Sequence, residues 1–266
     1  MKYGFIGLGN MAAAIIKGMV QNGFEGKAIL GYNRTPERAE ELAARLGIQP
    51  VGDIPELVKA ADAVIVSTTP QSFGAVLPLV KAGLTPGKLV ISIAAGRDIA
   101  YLKEALGQDA PIARVMPNVN AKVCASTTCF TASPDVTGAH KDTVRRIFGA
   151  VGSVIELTEE EFTPFKAIAG CGVAFVYMYI DAMARAGVKH GLPKAKALSI
   201  AAGTMMGSAK LIAESGEHPF ALIDQVATPG GTTIEGILSL QANGFEHAVH
   251  EAIQAVIDKD AILSGK

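Results

Sequence analysis

The stretch from Tyr3 to Met19 constrains the fold of this 266-residue chain more than any other. Its first residues, Tyr3 to Ile6, are apolar and prone to form a β-strand, and from Ala12 onwards apolar residues recur at helical spacing. Between them lies a G-x-G-x-x-A turn. Glycines permit a sharp turn and the close approach of a ligand, and the start of a helix offers free N–H groups to phosphates. The pattern predicts a dinucleotide site at Gly7, Leu8, Gly9, Asn10 and Met11.

The choice of cofactor is predicted from the end of the second strand, Lys27 to Tyr32. An acidic residue there would bind the ribose hydroxyls of NAD, whereas this chain has Asn33 followed by Arg34. A guanidinium pairs with a 2′-phosphate through two hydrogen bonds, and a carboxylate would repel it. We therefore predict NADP(H) as the preferred cofactor, with NAD(H) as the alternative, and include Asn33, Arg34 and Thr35 in the site. The other interpretation is that Arg34 is a solvated residue at the start of a helix.

Further strands are predicted at Ala61 to Ser67, Lys88 to Ile93 and Ile112 to Val115. Because they alternate with helices, they indicate a parallel, doubly wound sheet, in which ligands bind beyond the carboxyl ends of the strands. The residues that follow these strands are therefore predicted to contact the cofactor. They are Thr68, Thr69, Pro70, Ala94, Ala95, Gly96, Met116, Pro117 and Asn118.

The strand pattern ends near Glu159, after two further segments, Ser126 to Thr131 and Ser153 to Leu157, that are predicted to complete the sheet. The predicted fold class is α/β, with an N-terminal Rossmann-like doubly wound parallel sheet followed by an all-α C-terminal dimerisation domain. We expect a dinucleotide-binding domain over residues 1–160 and a helical substrate and dimerisation domain over residues 161–266. Predicted helices there are Phe162 to Ala169, Val173 to Val188, Lys194 to Ala213 and Phe245 to Ser264.

The helix Val173 to Val188 is apolar almost all round, so we expect it to be buried on every side. About a hundred residues of helix cannot easily enclose it alone, which predicts a homodimer or a higher assembly of dimers. The net charge of -1 and the lack of a basic cluster give no reason to expect nucleic acid or a membrane as partner. The charge-free run Ala167 to Ile180 is also shorter than the ~18 residues of a membrane span.

Three cysteines without metal-binding spacing predict a reducing, cytoplasmic location and no metal site. A second glycine turn, Pro229-Gly230-Gly231, leads directly into a helix. Free N–H groups around Gly231 to Ile234, together with two threonine hydroxyls, predict a receptor for a small carboxylate. The alternative is that Thr232 and Glu235 form a capping box, which would explain the same residues without a ligand.

Several motifs, in this order, resemble the pyrroline-5-carboxylate reductase family. They are the N-terminal Gly-Phe-Ile-Gly-Leu-Gly-Asn-Met, Pro70-Gln71, Ile91 to Gly96, Arg114 to Asn118, Ala186 to Val188 with Gly191 to Pro193, and Pro229 to Thr233. The resemblance covers essentially the whole chain. It implies NAD(P)H-dependent reduction of 1-pyrroline-5-carboxylate to L-proline, the last step of proline biosynthesis, in dimers or assemblies of dimers whose active sites are completed between subunits.

The same resemblance implies roles for individual residues. Thr233 would hydrogen bond to the pyrroline ring, Gly230 to Thr232 would bind its carboxylate, and Met116, Pro117 and Asn118 would lie near the nicotinamide. We take Thr233 as the catalytic residue. The substrate-binding candidates are Val119, Thr228, Gly230, Gly231, Thr232 and Thr233. Because a protonated cyclic imine is already electrophilic, positioning supplies much of the rate and no strong general acid is required.

The chain departs from the family's pattern near the expected pocket. Thr69 stands in place of a lysine, Val119-Asn120 in place of Thr-Pro, Lys166 in place of a small hydroxyl residue, and Cys171 and Val173 in place of serine and proline. Alternatives are reduction of a six-membered imine, a β-hydroxyacid dehydrogenase and a non-catalytic NADPH-binding regulator. The dehydrogenase would need asparagine four residues after its catalytic lysine, and here Lys166 is followed by Gly170.

Overall fold

The computed structural model describes residues 1–264. Its internal contacts divide the chain into two compact units, Met1–Gly170 and Cys171–Ile262. The sequence placed a boundary between residues 160 and 161, where the strand pattern ends. The contacts divide further along the chain, inside a continuous helical run.

Within the described residues, eight strands form the sheet of the first unit. They are β1 Tyr3–Ile6, β2 Ile29–Tyr32, β3 Gln49–Pro50, β4 Ala63–Val66, β5 Leu89–Ser92, β6 Ile112–Met116, β7 Ser126–Ala132 and β8 Gly152–Glu156. Their spatial order is β3-β2-β1-β4-β5-β6-β7-β8. This order, with β1 at the centre and the chain wound outwards in both directions, confirms the predicted Rossmann-like class.

One strand corrects the expectation of a wholly parallel sheet, because β7 runs antiparallel to β6. The other neighbouring strands are parallel. The connection from β6 to β7 contains only the 3-10 turn Val119–Val123. A parallel pair of strands needs a crossover of a dozen or more residues. A connection as short as this one therefore reverses the direction of the chain.

Seven helices of the first unit cover the two faces of the sheet within residues 1–170. They are α1 Asn10–Gln21, α2 Pro36–Leu46, α3 Ile54–Ala60, α4 Phe73–Gly83, α5 Ile99–Leu106, α6 Gly138–Gly149 and α7 Phe162–Phe165. Alternate residues of each strand point to opposite faces. Phe5 packs with Ile15 and Phe148 on one face, and Ile6 packs with Leu57 on the other. Both faces are therefore buried within the unit.

The second unit is helical. Its helices are α8 Gly172–Lys189, α9 Lys194–Ser215, α10 Pro219–Val226, α11 Thr232–Ala242 and α12 Phe245–Ser264. α8 and α9 pack through the small residues Ala184, Ala197 and Ala201. The prediction that α8 is buried on every side does not hold for a single chain, since Tyr177 is 58% and Met178 is 72% exposed.

The predicted helix end at Ala169 is wrong. α7 continues through a π-helical segment, Lys166–Cys171, directly into α8. The resulting run, Phe162–Lys189, has 28 residues and is by length and composition sufficient to cross a membrane, with 22% of its most apolar window buried. The predicted run, Ala167 to Ile180, was shorter because it ended at the charged residues on either side, through which the helix continues.

Candidate active site

The glycine turn between β1 and α1 has the geometry of a phosphate cradle. Gly7 has φ +91°, and a Cβ there would lie 2.8 Å from Thr68 Cγ2, so the position requires glycine. Gly9 is the N-cap residue of α1, and no side chain caps the N–H groups at the start of this helix. A Cβ at Gly9 would meet nothing within 4 Å, so the space in front of the helix start is open. The first-turn N–H groups of Asn10, which is exposed, and Met11, which is half-buried, are the groups that an anion such as a pyrophosphate would bind.

Asn33 ties this turn to the second strand. Its Oδ1 accepts a hydrogen bond from Leu8 N–H at 3.0 Å, and its Nδ2 donates to the carbonyl of Thr35 at 3.0 Å. Gly7 N–H donates to the carbonyl of Tyr32 at 2.8 Å. The carboxamide predicted to contact the cofactor therefore also fixes the shape of the turn.

The corner beyond β2 contains the predicted determinant of cofactor choice. Arg34 and Thr35 are exposed there. A cleft of about 210 Å³ opens beside them, lined by Asn33, Pro36, Ala39, Glu40, Pro50, Val51 and Gly52. A cationic side chain beside a cleft at the carboxyl end of β2 suits a phosphorylated ribose.

The ends of β4 and β5 lie side by side next to the glycine turn. Ser67, which the sequence analysis missed, donates its hydroxyl towards the carbonyls of Ile6 and Gly7 at 3.0 and 2.6 Å. Thr68 Oγ1 and Ser92 Oγ are buried and have no hydrogen-bond partner. Because buried hydroxyls in proteins are normally satisfied, Thr68, which follows β4 at this edge, is a candidate contact for a polar ligand.

The remaining predicted residues of these two strand ends form short turns. Thr69 Oγ1 lies 3.2 Å from Ser72 Oγ across the 3-10 turn Pro70–Ser72. Ala94 is buried, Ala95 is exposed, and Gly96 has φ +75°, which favours glycine. These residues share the edge at which the glycine turn lies.

The loop after β6 is the most constrained part of the candidate site. Asn118 is 6% exposed, and its Nδ2 donates to the carbonyl of Ala169 at 2.9 Å. Met116 is half-buried, Pro117 is buried and Val119 is 39% exposed. The neighbouring thiol of Cys129 is inert, since burial raises its pKa to about 12.

Arg114 is a second residue that the sequence analysis did not single out as functional. Its Nη1 forms an ion pair with Glu159, and its guanidinium lies 4.3 Å from the ring centroid of Phe162. An arginine two residues before the end of a buried strand is a sequence signal, because a charge in that position needs a partner.

The second unit contains the other predicted turn. Gly231 N–H donates to the carbonyl of Thr228 at 2.9 Å, and Gly230 has φ +68°. A Cβ at Gly231 would lie 2.4 Å from Thr228 Oγ1 and 3.0 Å from the Thr228 carbonyl oxygen, so a side chain there would displace Thr228. Thr232 and Thr233, both exposed, are the first residues of α11.

The capping-box alternative is wrong for this turn. The N-cap of α11 is Gly231, which has no side chain, and Thr232 is the first helical residue. The N–H groups of Thr232, Thr233 and Ile234 therefore point out of an uncapped helix start. Such a start, with two hydroxyls beside it, suits a small carboxylate.

Comparisons with known proteins indicate the same family for both units of the chain. A family model described as pyrroline-5-carboxylate reductase dimerisation matches residues 159–263, and one described as NADP oxidoreductase, coenzyme F420-dependent, matches residues 2–96. The pyrroline-5-carboxylate reductase of Escherichia coli (strain K12) is 39% identical over 265 residues, covering 99% of this chain and 98% of that protein. The one from Arabidopsis thaliana is 34% identical over 269 residues, covering 99% and 95%.

Solved structures give the same result. The pyrroline-5-carboxylate reductase of Coxiella burnetii matches with a TM-score of 0.95 at 29% identity, covering 99% of this chain and 98% of that one. The pyrroline carboxylate reductase of Plasmodium falciparum with NADP bound matches with a TM-score of 0.87 at 29% identity and the same coverage.

Proposed function

Because the chain belongs to the pyrroline-5-carboxylate reductase family, we propose that it reduces 1-pyrroline-5-carboxylate to L-proline with NADPH. It is an oxidoreductase of the NADP type. The observation that carries the proposal is the 39% identity over 99% of the chain, because it spans both the sheet unit and the helical unit. The predicted division into a dinucleotide-binding domain, 1–160, and a substrate and dimerisation domain, 161–266, is part of this proposal.

The first unit supplies the binding groups for NADPH, which provides the hydride when bound. The uncapped N–H groups behind Gly9 receive the pyrophosphate, supported by the open space at that position. Arg34 pairs with the 2′-phosphate, which favours NADPH over NADH. Thr68 contributes a hydroxyl that has no hydrogen-bond partner among the described residues. The residues of the strand ends from Thr68 to Pro70 and Ala94 to Gly96, together with Met116 and Pro117, surround the nicotinamide end, and Asn118 follows them in the same loop.

The second unit supplies the substrate groups. The uncapped N–H groups of Thr232 and Thr233, behind Gly230 and Gly231, receive the carboxylate of the imine, with Thr228 as a further candidate. Val119, the other candidate, belongs to the first unit. Thr233 holds the ring nitrogen through its hydroxyl. The imine nitrogen takes up a proton from solvent and the C=N carbon would gain the hydride that NADPH supplies, which gives the secondary amine of proline. A protonated imine needs positioning rather than a strong acid.

We also propose a homodimer or an assembly of dimers in the cytoplasm. The dimerisation family covers 159–263, and a groove of about 510 Å³ on α8, α9 and α12 is lined by apolar side chains such as Met178, Tyr179 and Phe245. A second copy is the expected occupant. A reducing compartment suits the three free thiols, of which Cys124 is exposed.

The test is NADPH absorbance loss with the purified protein and 1-pyrroline-5-carboxylate. We expect oxidation that is faster with NADPH than with NADH, and a loss of about 100-fold in kcat/KM for Thr233→Ala, as for removal of one aligned hydrogen bond in a site. Arg34→Ala should reduce the ratio of kcat/KM with NADPH to kcat/KM with NADH. Cofactor binding without imine-dependent oxidation would favour a regulator instead, and oxidation only with the six-membered imine would correct the substrate.

A further inference from the structure

Both ends of the Asn118 carboxamide form hydrogen bonds within the protein. Its Nδ2 donates to the carbonyl of Ala169 at 2.9 Å, and its Oδ1 accepts from the backbone N–H of Asn120 at 3.1 Å. Ala169 belongs to the π-helical segment Lys166–Cys171. The side chain therefore joins the loop after β6 to a residue that lies 51 positions further along the chain.

The backbone of the same residue is held as well. Asn118 N–H donates to Ser126 Oγ at 3.1 Å, and Ser126 Oγ lies 3.1 Å from Thr128 Oγ1 in β7. Three separate parts of the first unit thus fix one loop residue. Such convergence exceeds what the N-cap of a single 3-10 turn requires.

A second link fixes the segment to which Asn118 bonds. Arg114 in β6 pairs with Glu159, just before α7, and stacks at 4.3 Å on Phe162, which is 2% exposed. α7 runs directly into the π-helical segment that contains Ala169. The Ala169 carbonyl is therefore carried by an element that is itself anchored to β6.

We propose that Asn118 is a positioning residue, which fixes Met116 and Pro117 beside the nicotinamide through its bond to Ala169 and does not itself contact the cofactor. The inference rests on the proposed function, because the role of this loop comes from it. Hydride transfer needs the reacting atoms held closely, and a displacement of about 1 Å costs about 100-fold in rate.

Two substitutions separate this link from the N-cap bond. Asn118→Ser keeps a hydroxyl that can accept from the Asn120 N–H, since serine is also a good N-cap, but it cannot reach Ala169. Asn120→Pro removes that N–H while leaving the bond to Ala169, and proline is tolerated in the first turn of a helix. Asn120→Ala keeps the backbone N–H and serves as the matched control.

We expect Asn118→Ser to lower kcat by about 10- to 100-fold while the Kd of NADPH changes by less than about twofold. Asn120→Pro and Asn120→Ala should retain kcat within about threefold of the wild type. A kcat for Asn118→Ser close to that of the wild type, or a greater loss for Asn120→Pro, would overturn the proposal. A large loss of NADPH affinity in Asn118→Ser would show a direct cofactor contact instead.

Hydrogen exchange of the backbone amides around residues 166–172, without substrate, gives an independent readout. We expect faster exchange there in Asn118→Ser than in Asn120→Pro. If the wild type fails to reduce the imine, the proposed function is wrong, and unchanged exchange in Asn118→Ser would overturn the link to Ala169 as well.

Discussion

The two units of the chain bury their apolar side chains to very different extents. In the first unit, Phe5, Ile65 and Phe130 are 0% exposed. In the second unit, Met178 and Met206 are each 72% exposed. The sheet supplies two faces that its own helices cover, whereas the helices of the second unit have faces with no covering element in the same unit.

The difference teaches that the two units depend on different sources of stability. Burial of apolar surface stabilises by about 25 cal/mol per Å². The first unit obtains this from its own residues, so its stability is independent of protein concentration. In the proposed dimer the second unit would obtain a large part of it from a second copy, so its stability should rise with concentration.

A charge in the apolar groove should have the largest effect. We expect Met178→Asp to weaken self-association by about 4–8 kcal/mol per dimer, because two-fold symmetry repeats the substitution and each interface hot spot contributes 2–4 kcal/mol. The molar mass from light scattering should fall to that of the 27.5 kDa monomer, and reductase activity should fall with it.

The matched control is Leu79→Asp on α4 of the first unit, where Leu79 is 44% exposed. It adds the same charge to an exposed apolar residue, and we expect it to leave the molar mass unchanged. If Leu79→Asp dissociates the assembly while Met178→Asp does not, the assembly face lies on the sheet unit and the comparison between the units is reversed.

A truncation in the sheet core should have the next largest effect. Ile65→Ala removes a fully buried side chain from β4, so we expect a loss of about 2–5 kcal/mol in the free energy of unfolding. Ile200→Ala truncates a side chain that is 56% exposed in the single chain. Its cost should be smaller and should change with protein concentration. Urea unfolding at two concentrations measures both, and a concentration-dependent loss for Ile65→Ala would contradict the comparison.

The same contrast explains what could be predicted from the sequence. Seven of the eight described strands were predicted to within a few residues, because the sheet core is built from short apolar runs such as Ala63–Val66 that carry their own signal. The strand β3, Gln49–Pro50, was missed, because its two residues are exposed and form no apolar run. The helices α3 and α5 were given no bounds, although Asp53 and Asp98 cap them by accepting from Glu56 N–H and Tyr101 N–H. An aspartate immediately before a run of residues with helical spacing is a sequence signal for the start of a helix.

Other features could not be predicted from local pattern. The π-helical segment contains Ala169, whose carbonyl accepts from Asn118, a residue distant in sequence. The antiparallel direction of β7, by contrast, could have been inferred from its short connection to β6. The glycine turn at Gly7 could be predicted because its positive φ and close packing require glycine, and the glycine itself is visible in the sequence. The capping of α11 was left open, since a Thr-x-x-Glu pattern fits both a cap and a first helical turn.

The two glycines of the first turn separate stability from binding. Gly7→Ala should cost about 1–3 kcal/mol, because the residue has φ +91° and its methyl would lie 2.8 Å from Thr68 Cγ2. Gly9→Ala should leave the melting temperature nearly unchanged, because φ at Gly9 is -73° and nothing lies within 4 Å. Its methyl should weaken NADPH binding by about tenfold, or ~1.4 kcal/mol. Equal NADPH affinity in Gly9→Ala and the wild type would place the pyrophosphate elsewhere.

The smallest effect should come from one ion pair in each unit. In the first unit Lys103, with a side chain 10% exposed, pairs with Asp135. The hydrogen bond from Lys103 holds the pKa of Asp135 below its usual value. The folded-state pKa is therefore below the unfolded one, so this contribution is present above the unfolded pKa of about 3.9 and is lost as pH falls through the folded pKa.

Asp135→Asn should therefore lower stability at neutral pH and flatten the loss of stability in acid, below about pH 4. In the second unit, Asp181 and Arg185 form an i,i+4 pair at 2.5 Å, with side chains 46% and 74% exposed. Asp181→Asn should change stability little, because solvent and salt screen an exposed pair. Thermal unfolding of the two variants and the wild type from pH 3 to pH 7 measures the contribution of each ion pair to stability. A larger acid response from Asp181 than from Asp135 would mean that assembly buries the second pair more deeply than a single chain does, and would add Asp181 and Arg185 to the interface.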